Sequence, residues 1–404
     1  MRLALLVAWR NLTCDPIRYG LYTLGIAFAV VLMGVQFGIL RAMLESNTRL
    51  LRCLDADGVL IHPQRSSLMF RPAFPRRRLE QAHAVEGIDR VAPLYLDYQA
   101  GEWLATGVPR PERGPKRRIR VVGVDPAVAP LRGLDIPPDD WQSLQRPGTA
   151  LYDRRARPDP QRRMPSVYGP LAEGCTAELT GQQLTLVGPG FSLGFDFAAD
   201  GTLIVSEQTF ARYLREPLAP PGTDPLEAVD LGLVWFQPEA RREQVLDALR
   251  QLYAATPNVE VLTLKQLIER EERFWLANTP IGFAFGAGMI LGFVVGLVIC
   301  YQILTGNIAD HLGQYATLRA IGHTPGFLRA VVTAEALLLA GSGLAVGIGI
   351  VAGVQSLLEE WTGMPFQLTL FRIVWLGGAT IGMCWLSARL AARHVEKVDP
   401  ADVF

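Results

Sequence analysis

The chain has 404 residues, half of them apolar, and its 39 basic and 39 acidic side chains cancel to no formal net charge. A balanced charge gives no electrostatic footprint for nucleic acid. The five cysteines (Cys14, Cys53, Cys175, Cys300, Cys384) show no metal-ligand spacing, and the five histidines are scattered.

Residues 1–18, with Arg2, Arg10 and Arg18, read as an amphipathic N-terminal helix. Tyr19 to Leu40 contains no charged residue and is long enough to cross a hydrocarbon core of roughly 30 Å, so 19–42 is the first expected span. The run ends at Gly38-Ile-Leu-Arg41 without a small-residue cleavage pattern and reads as a retained anchor. Beyond it Leu44, Asn47, Leu51 and Leu54 continue from Leu40 in alternating steps of four and three, the spacing of a stalk packing along a coiled-coil seam. Asn47 then either sets register in that seam or faces water.

Residues 43–273 hold most of the charge and are expected to form an α+β domain between the first two spans. Strands are expected at Gly58–Ile61, Val91–Tyr98, Leu231–Phe236 and Val259–Leu262, and helices at Arg76–Ala84 and Pro238–Ala254. These make two β-α-β units, one from each end of the segment. Between them Trp141–Leu226 reads as an inserted β-rich sublobe, with strands at Gln183–Val187 and Thr202–Val205. Two basic tracts, Arg110, Arg113, Lys116, Arg117, Arg118, Arg120 and Arg154, Arg155, Arg157, Arg162, Arg163, carry interleaved proline and glycine and read as loops. They either meet anionic lipid or an acidic partner, or are simply solvated. Cys53 and Cys175 either pair or remain free thiols.

On the return, Leu264, Leu267, Glu271, Phe274 and Asn278 repeat the stalk spacing more roughly. Further spans follow at 276–305, 330–358 and 368–390, where Arg372 can snorkel to the head groups. Glu335, near the inner end of the third, reads as an interfacial helix-end carboxylate. Arginine and lysine at 1–18, in the loop 306–328 and in the tail 391–404 place both termini and that loop in the cytoplasm of an inner-membrane protein. Within the loop, Asn307–Gly326 is expected to form a surface helix. Leu312, Tyr315, Leu318 and Ile321 share one face, Arg319 stands at its edge, and Gly322 ends it. That face either docks into a partner or lies among head groups.

No G-x-x-x-x-G-K-[ST] loop, H-E-x-x-H or G-x-S-x-G element occurs, so neither nucleotide hydrolysis of the P-loop kind nor a familiar hydrolase site is expected, and no cofactor. Gln314-Tyr-Ala-Thr-Leu-Arg-Ala-Ile-Gly-His323, then Phe327-Leu-Arg-Ala-Val-Val332 and Glu335-Ala-Leu-Leu-Leu339, resembles the FtsX/MacB-like permease family of ABC transporters. Ala8-Trp-Arg-Asn-Leu12, Gly25 to Met33 with Gln36, and Ala56 to Ile61 look like its DevC-type (heterocyst glycolipid exporter) subgroup. The tail Val398-Asp-Pro-Ala401 is similar to the family's closing element. Gln314 stands where that subgroup commonly has glutamate.

The resemblance implies four transmembrane helices plus a MacB-like α+β periplasmic domain. It also implies a permease homodimer served by a separate ABC ATPase subunit at the 306–328 coupling loop, with a periplasmic adaptor and an outer-membrane duct. Such a subunit is non-catalytic and passes ATPase-driven movement up the stalk to export a lipid-like or amphiphilic cargo. The same architecture also suits a mechanotransmitting regulator that activates a cell-wall hydrolase without moving cargo.

Overall fold

The computed structural model describes residues 2–106, 116–218, 220, 222–362 and 369–395. Arg110, Arg113, the start of the fourth expected span and the Val398–Ala401 element lie outside the described residues. The helices are α1 (Arg2–Thr13), α2 (Pro16–Arg52), α3 (Arg77–His83), α4 (Pro138–Ser143), α5 (Glu207–Phe210), α6 (Arg242–Tyr253), α7 (Leu264–Ala277), α8 (Pro280–Asp310), α9 (Leu312–Ala320), α10 (Pro325–Thr362) and α11 (Leu370–Val395). The strands are β1 (Gly58–Ile61), β2 (Phe74–Pro75), β3 (Ile88–Asp97), β4 (Glu102–Ala105), β5 (Arg117–Arg118), β6 (Arg120–Val124), β7 (Thr149–Tyr152), β8 (Thr176–Leu179), β9 (Gln182–Leu186), β10 (Thr202–Ser206), β11 (Ala228–Val229), β12 (Leu231–Phe236) and β13 (Glu260–Leu262). The chain divides into a helical unit (1–42, 280–361, 365–404) and an α/β unit (43–279, 362–364).

In the helical unit α2, α8, α10 and α11 are each long and apolar enough to cross a membrane. Local chemistry sets their ends. Asp15 accepts hydrogen bonds from the backbone N–H of Ile17 and Arg18 at 3.1 and 3.2 Å, which caps α2 just before Pro16 at its first turn. Pro280, which cannot donate to the preceding turn, separates α8 from α7, so the second long apolar helix begins there and not at 276. Close packing runs through glycine. A Cβ on Gly343 or Gly347 of α10 would stand 2.5 Å from Ile26 or Val30 of α2, and one on Gly296 of α8 would stand 2.7 Å from Ala29. Gly341, Gly349 and Gly353, on another face of α10, meet nothing within 4 Å. Arg372 is buried and engaged within the protein instead of snorkelling outward. Cys300 and Cys384 are buried here, and all five cysteines are free, so Cys53 and Cys175 do not pair.

The α/β unit is one mixed sheet, not two lobes. Its order is β13-β1-β12-β3-β6-β10-β7-β9-β8-β4-β5, with β2 and β11 pairing separately. The expected sublobe joins the first lobe because β6 lies between β3 and β10, with Leu203 opposite Val121 in parallel. The first basic tract, expected to be a loop, contains β5 and the opening residue of β6. Arg117 and Arg118 are nonetheless strand, and Arg120 is buried against Asp196 (2.5 Å) and Thr202. Part of the tracts' charge is paired within the domain: Arg157 meets Asp200 at 3.0 Å and Arg162 lies 3.8 Å from Asp159.

The sheet is covered on both faces, which is why β6, β10 and β12 are buried along their whole length. Val121, Leu203 and Val234 pack with Leu79 of α3, Phe210 of α5 and Leu249 of α6. The alternate positions Val122, Ile204 and Leu233 pack with Trp141 of α4, Leu267 of α7 and Leu50, Leu51 and Leu54 from the end of α2 and the turn after it.

Candidate functional site

At one end of the helical unit the expected surface helix is shorter than Asn307–Gly326. Asn307 belongs to α8, His311 breaks the helical path, and α9 covers only Leu312–Ala320. Gly322, at φ +101°, ends it, and the His323 N–H returns to the Leu318 carbonyl at 3.1 Å. The face read as outward-looking is divided. Tyr315 is 1 % exposed and Leu318 packs partly on the bundle, whereas Ile321 is 72 % exposed beside exposed Gly322. Leu312 and Arg319 are half-buried. The open side of α9 and its following turn therefore comprises Gly313, Gln314, Thr317, Ile321 and Gly322.

Tyr315 turns inward to Glu335, and this is the principal correction to the sequence reading. Glu335 is 0 % exposed and is no interfacial carboxylate. Its Oε1 accepts from Asn11 Nδ2 at 3.0 Å and from the Tyr315 hydroxyl at 3.3 Å, and its Oε2 accepts from Asn307 Nδ2 at 3.0 Å. Burial raises the Tyr315 phenol above its ordinary pKa and Glu335 adds to this, so the hydroxyl is held as a donor. Sequence reasoning missed Asn11 and Asn307. The available signal was a polar residue at each helix end facing an apolar seam: Asn11 lies on the same face of α1 as buried Ala4, Ala8 and Leu12.

Within the α/β unit, the last turns of α2 pack against the sheet, with the return helix α7 beside their end. Leu44 is buried, and Leu51 and Leu54 belong to the sheet-facing core. The Asn47 Oδ1 accepts from the Phe197 N–H at 3.2 Å, while Asn47 Nδ2 has no partner among the described residues. Two residues on, Arg49 Nη1 donates to the Leu193 carbonyl at 2.5 Å. Gly194, at φ +90°, admits that arginine, since a Cβ there would stand 2.5 Å from Nη1. The receiving loop is fixed from the sheet side. Asp153, at the end of β7, accepts from the Leu193 and Gly194 N–H groups at 3.1 and 2.8 Å, and Asp196 accepts from Ala198 and Ala199 at 2.8 Å. Burial raises the Asp153 pKa and these backbone donors pull it back.

The return helix α7 meets the end of α2 through Arg52–Glu272 at 3.1 Å and through Leu267. Glu271 does not join that seam. It accepts from Ser67 Oγ (2.7 Å), the Leu68 N–H (2.9 Å) and Trp275 Nε1 (2.9 Å), tying the Ser66–Phe70 loop to α7. Among the described residues no cluster of His, Cys, Asp and Glu could hold a metal ion.

Residues 286–400, which take in most of α8 and all of α9, α10 and α11, match the FtsX-like permease C-terminal family. With the four apolar helices, this marks a multi-pass membrane protein carrying a permease domain of that type. No curated protein matches the chain. Among solved structures it is similar to the periplasmic region of MacB from Actinobacillus actinomycetemcomitans, at 9 % identity and a TM-score of 0.35, over 54 % of this chain and 94 % of that one. It is also similar to the extracellular domain of the noncanonic ABC-type transporter YknZ from Gram-positive bacteria, at 10 % identity and a TM-score of 0.32, over 52 % of this chain and all of that one.

Proposed function

We propose that this chain is the membrane permease subunit of an ABC-type export machine, in which a separate ATPase acts on α9 and its following turn. The observation that carries this reading is the FtsX-like permease match, which spans the helix–turn presenting Ile321 and Gly322. The chain has no phosphate-binding loop of its own, so hydrolysis belongs to a partner. Residues 43–273 lie outside the inner membrane and both termini inside. The work reaches the outer domain along α2, a continuous helix of 37 residues, or about 55 Å at the usual rise per residue. Its far end is fastened through Asn47 and Arg49 to the loop that carries Leu193 and Phe197. Two copies form the working permease, with an adaptor, an outer-membrane duct and a lipid-like or amphiphilic cargo.

The test is purification of the full chain from native membranes, with bound subunits and lipids identified by mass spectrometry. An ABC ATPase with an adaptor supports export. An ATPase with a cell-wall hydrolase supports the regulator instead, and recovery without any ATPase overturns both.

A further inference from the structure

Glu335 lies within α10, yet the three groups bonded to it come from three other elements: Asn11 from α1, Asn307 from α8 and Tyr315 from α9. None of the three is a cation. Around them the packing is apolar, with Ala8, Leu12, Leu328, Val331, Val332 and Leu339 all buried. A carboxylate is costly to bury in such surroundings, and a fully satisfied one holds its donors in a single geometry. The chain connections make that geometry consequential. Only Cys14 and Asp15 separate α1 from α2, and only His311 separates α8 from α9.

We propose that Glu335 is a positioning residue that clamps the N-terminal helix α1 and the coupling helix α9 onto α8 and α10. A push on α9 then moves the start of α2, the end of α8 and the start of α10 as one piece. The push itself rests on the coupling role proposed above; the clamp does not.

The test is hydrogen–deuterium exchange of the purified full chain, read over α1, α9 and α11, in four variants. Glu335→Leu removes all three acceptor contacts and should raise exchange about tenfold in α1 and α9, with α11 unchanged. Asn11→Leu should raise it in α1 alone and Tyr315→Phe in α9 alone. Glu335→Gln keeps an acceptor oxygen for Asn11 and Tyr315, and its amide can donate to a rotated Asn307, so wild-type rates are expected. These milder variants keep the test decisive where Glu335→Leu fails to fold. Unchanged exchange in α1 and α9, or equal loosening of every helix in all variants, overturns the clamp.

A second arm measures ATP turnover by the partner ATPase. Glu335→Leu should leave that subunit bound while lowering turnover, and undiminished turnover refutes the transmission step. Failure of the coupling role shows separately, as undiminished ATPase binding in Ile321→Asp, and leaves the exchange pattern standing.

Discussion

Replacing Gly347 with alanine should loosen the bundle where α2 and α10 touch, while the same change at Gly349 should not. The added Cβ at Gly347 stands 2.5 Å from Val30 Cγ1, 2.7 Å from Val30 Cβ and 3.3 Å from the Ala27 carbonyl. Ordinary carbon contacts lie at about 3.5–4.0 Å, so roughly 1 Å of separation must be found. Val30 is fully buried and β-branched, with little rotamer freedom in a helix, so the helices themselves must move. Overpacking of this kind costs about 1–3 kcal/mol. Alanine also gains up to about 1 kcal/mol of helix propensity over glycine, but that gain is common to both sites and cancels in the comparison. The two variants should therefore differ by about 1–3 kcal/mol, with Gly349→Ala equal to or above wild type. Equilibrium unfolding in mixed micelles, followed by tryptophan fluorescence, measures the gap. Indistinguishable variants, or Gly349→Ala as the weaker one, would refute the packing of α10 on α2.

Asn47→Leu should deprive the Phe197 N–H of its acceptor and speed exchange across Leu193–Ala199, while Asn47→Asp should preserve protection; equal exchange in the two variants would count against the joint. Glu271→Leu should cost the α/β unit about 2–4 kcal/mol, because Ser67, Leu68 and Trp275 lose their shared acceptor, and chemical denaturation reads this directly. Burial raises the Glu271 pKa above 4.5, so the folded protein holds that proton more tightly than the unfolded chain. Its contribution to stability is thus greatest below pH 4.5 and falls as pH rises to the raised value. Glu271→Gln should remove that slope, and superimposable pH profiles for variant and wild type would contradict it. In whole cells an impermeant thiol reagent should label Thr223→Cys and leave Gly313→Cys untouched, whereas the reverse pattern would invert the proposed topology.

The apolar helices were legible because an uninterrupted charge-free run admits few other solutions, and the strands β1, β3, β10 and β12 because β-branched and aromatic residues cluster between turns. What could not be read was the partner of each polar residue. Arg120 sits in a run of basic residues that suggests solvent, and only β10 and the Asp196 loop, brought alongside from 76 or more residues away, turn it into core. Tyr315 fits the amphipathic pattern of an outward-facing helix as well as the observed inward one, because periodicity names a face without saying what covers it. Glu335, Asn11 and Asn307 are single polar residues in separate helices, and nothing local in sequence joins them. Asn47 reads in sequence as either a register-setting or a water-facing position, whereas its acceptor role for Phe197, 150 residues away, is a property of the folded domain.

The proposed ATPase contact centres on the turn at Ile321, whose side chain is 72 % exposed. Co-purification of the partner ATPase with wild type and with Ile321→Asp, at matched yield and from the same membranes, measures it directly. Wild type should retain the ATPase and its ATP turnover, whereas Ile321→Asp, at a position the rest of the chain leaves largely uncovered, should stay folded but lose both. Equal ATPase recovery and turnover in the two preparations would contradict it.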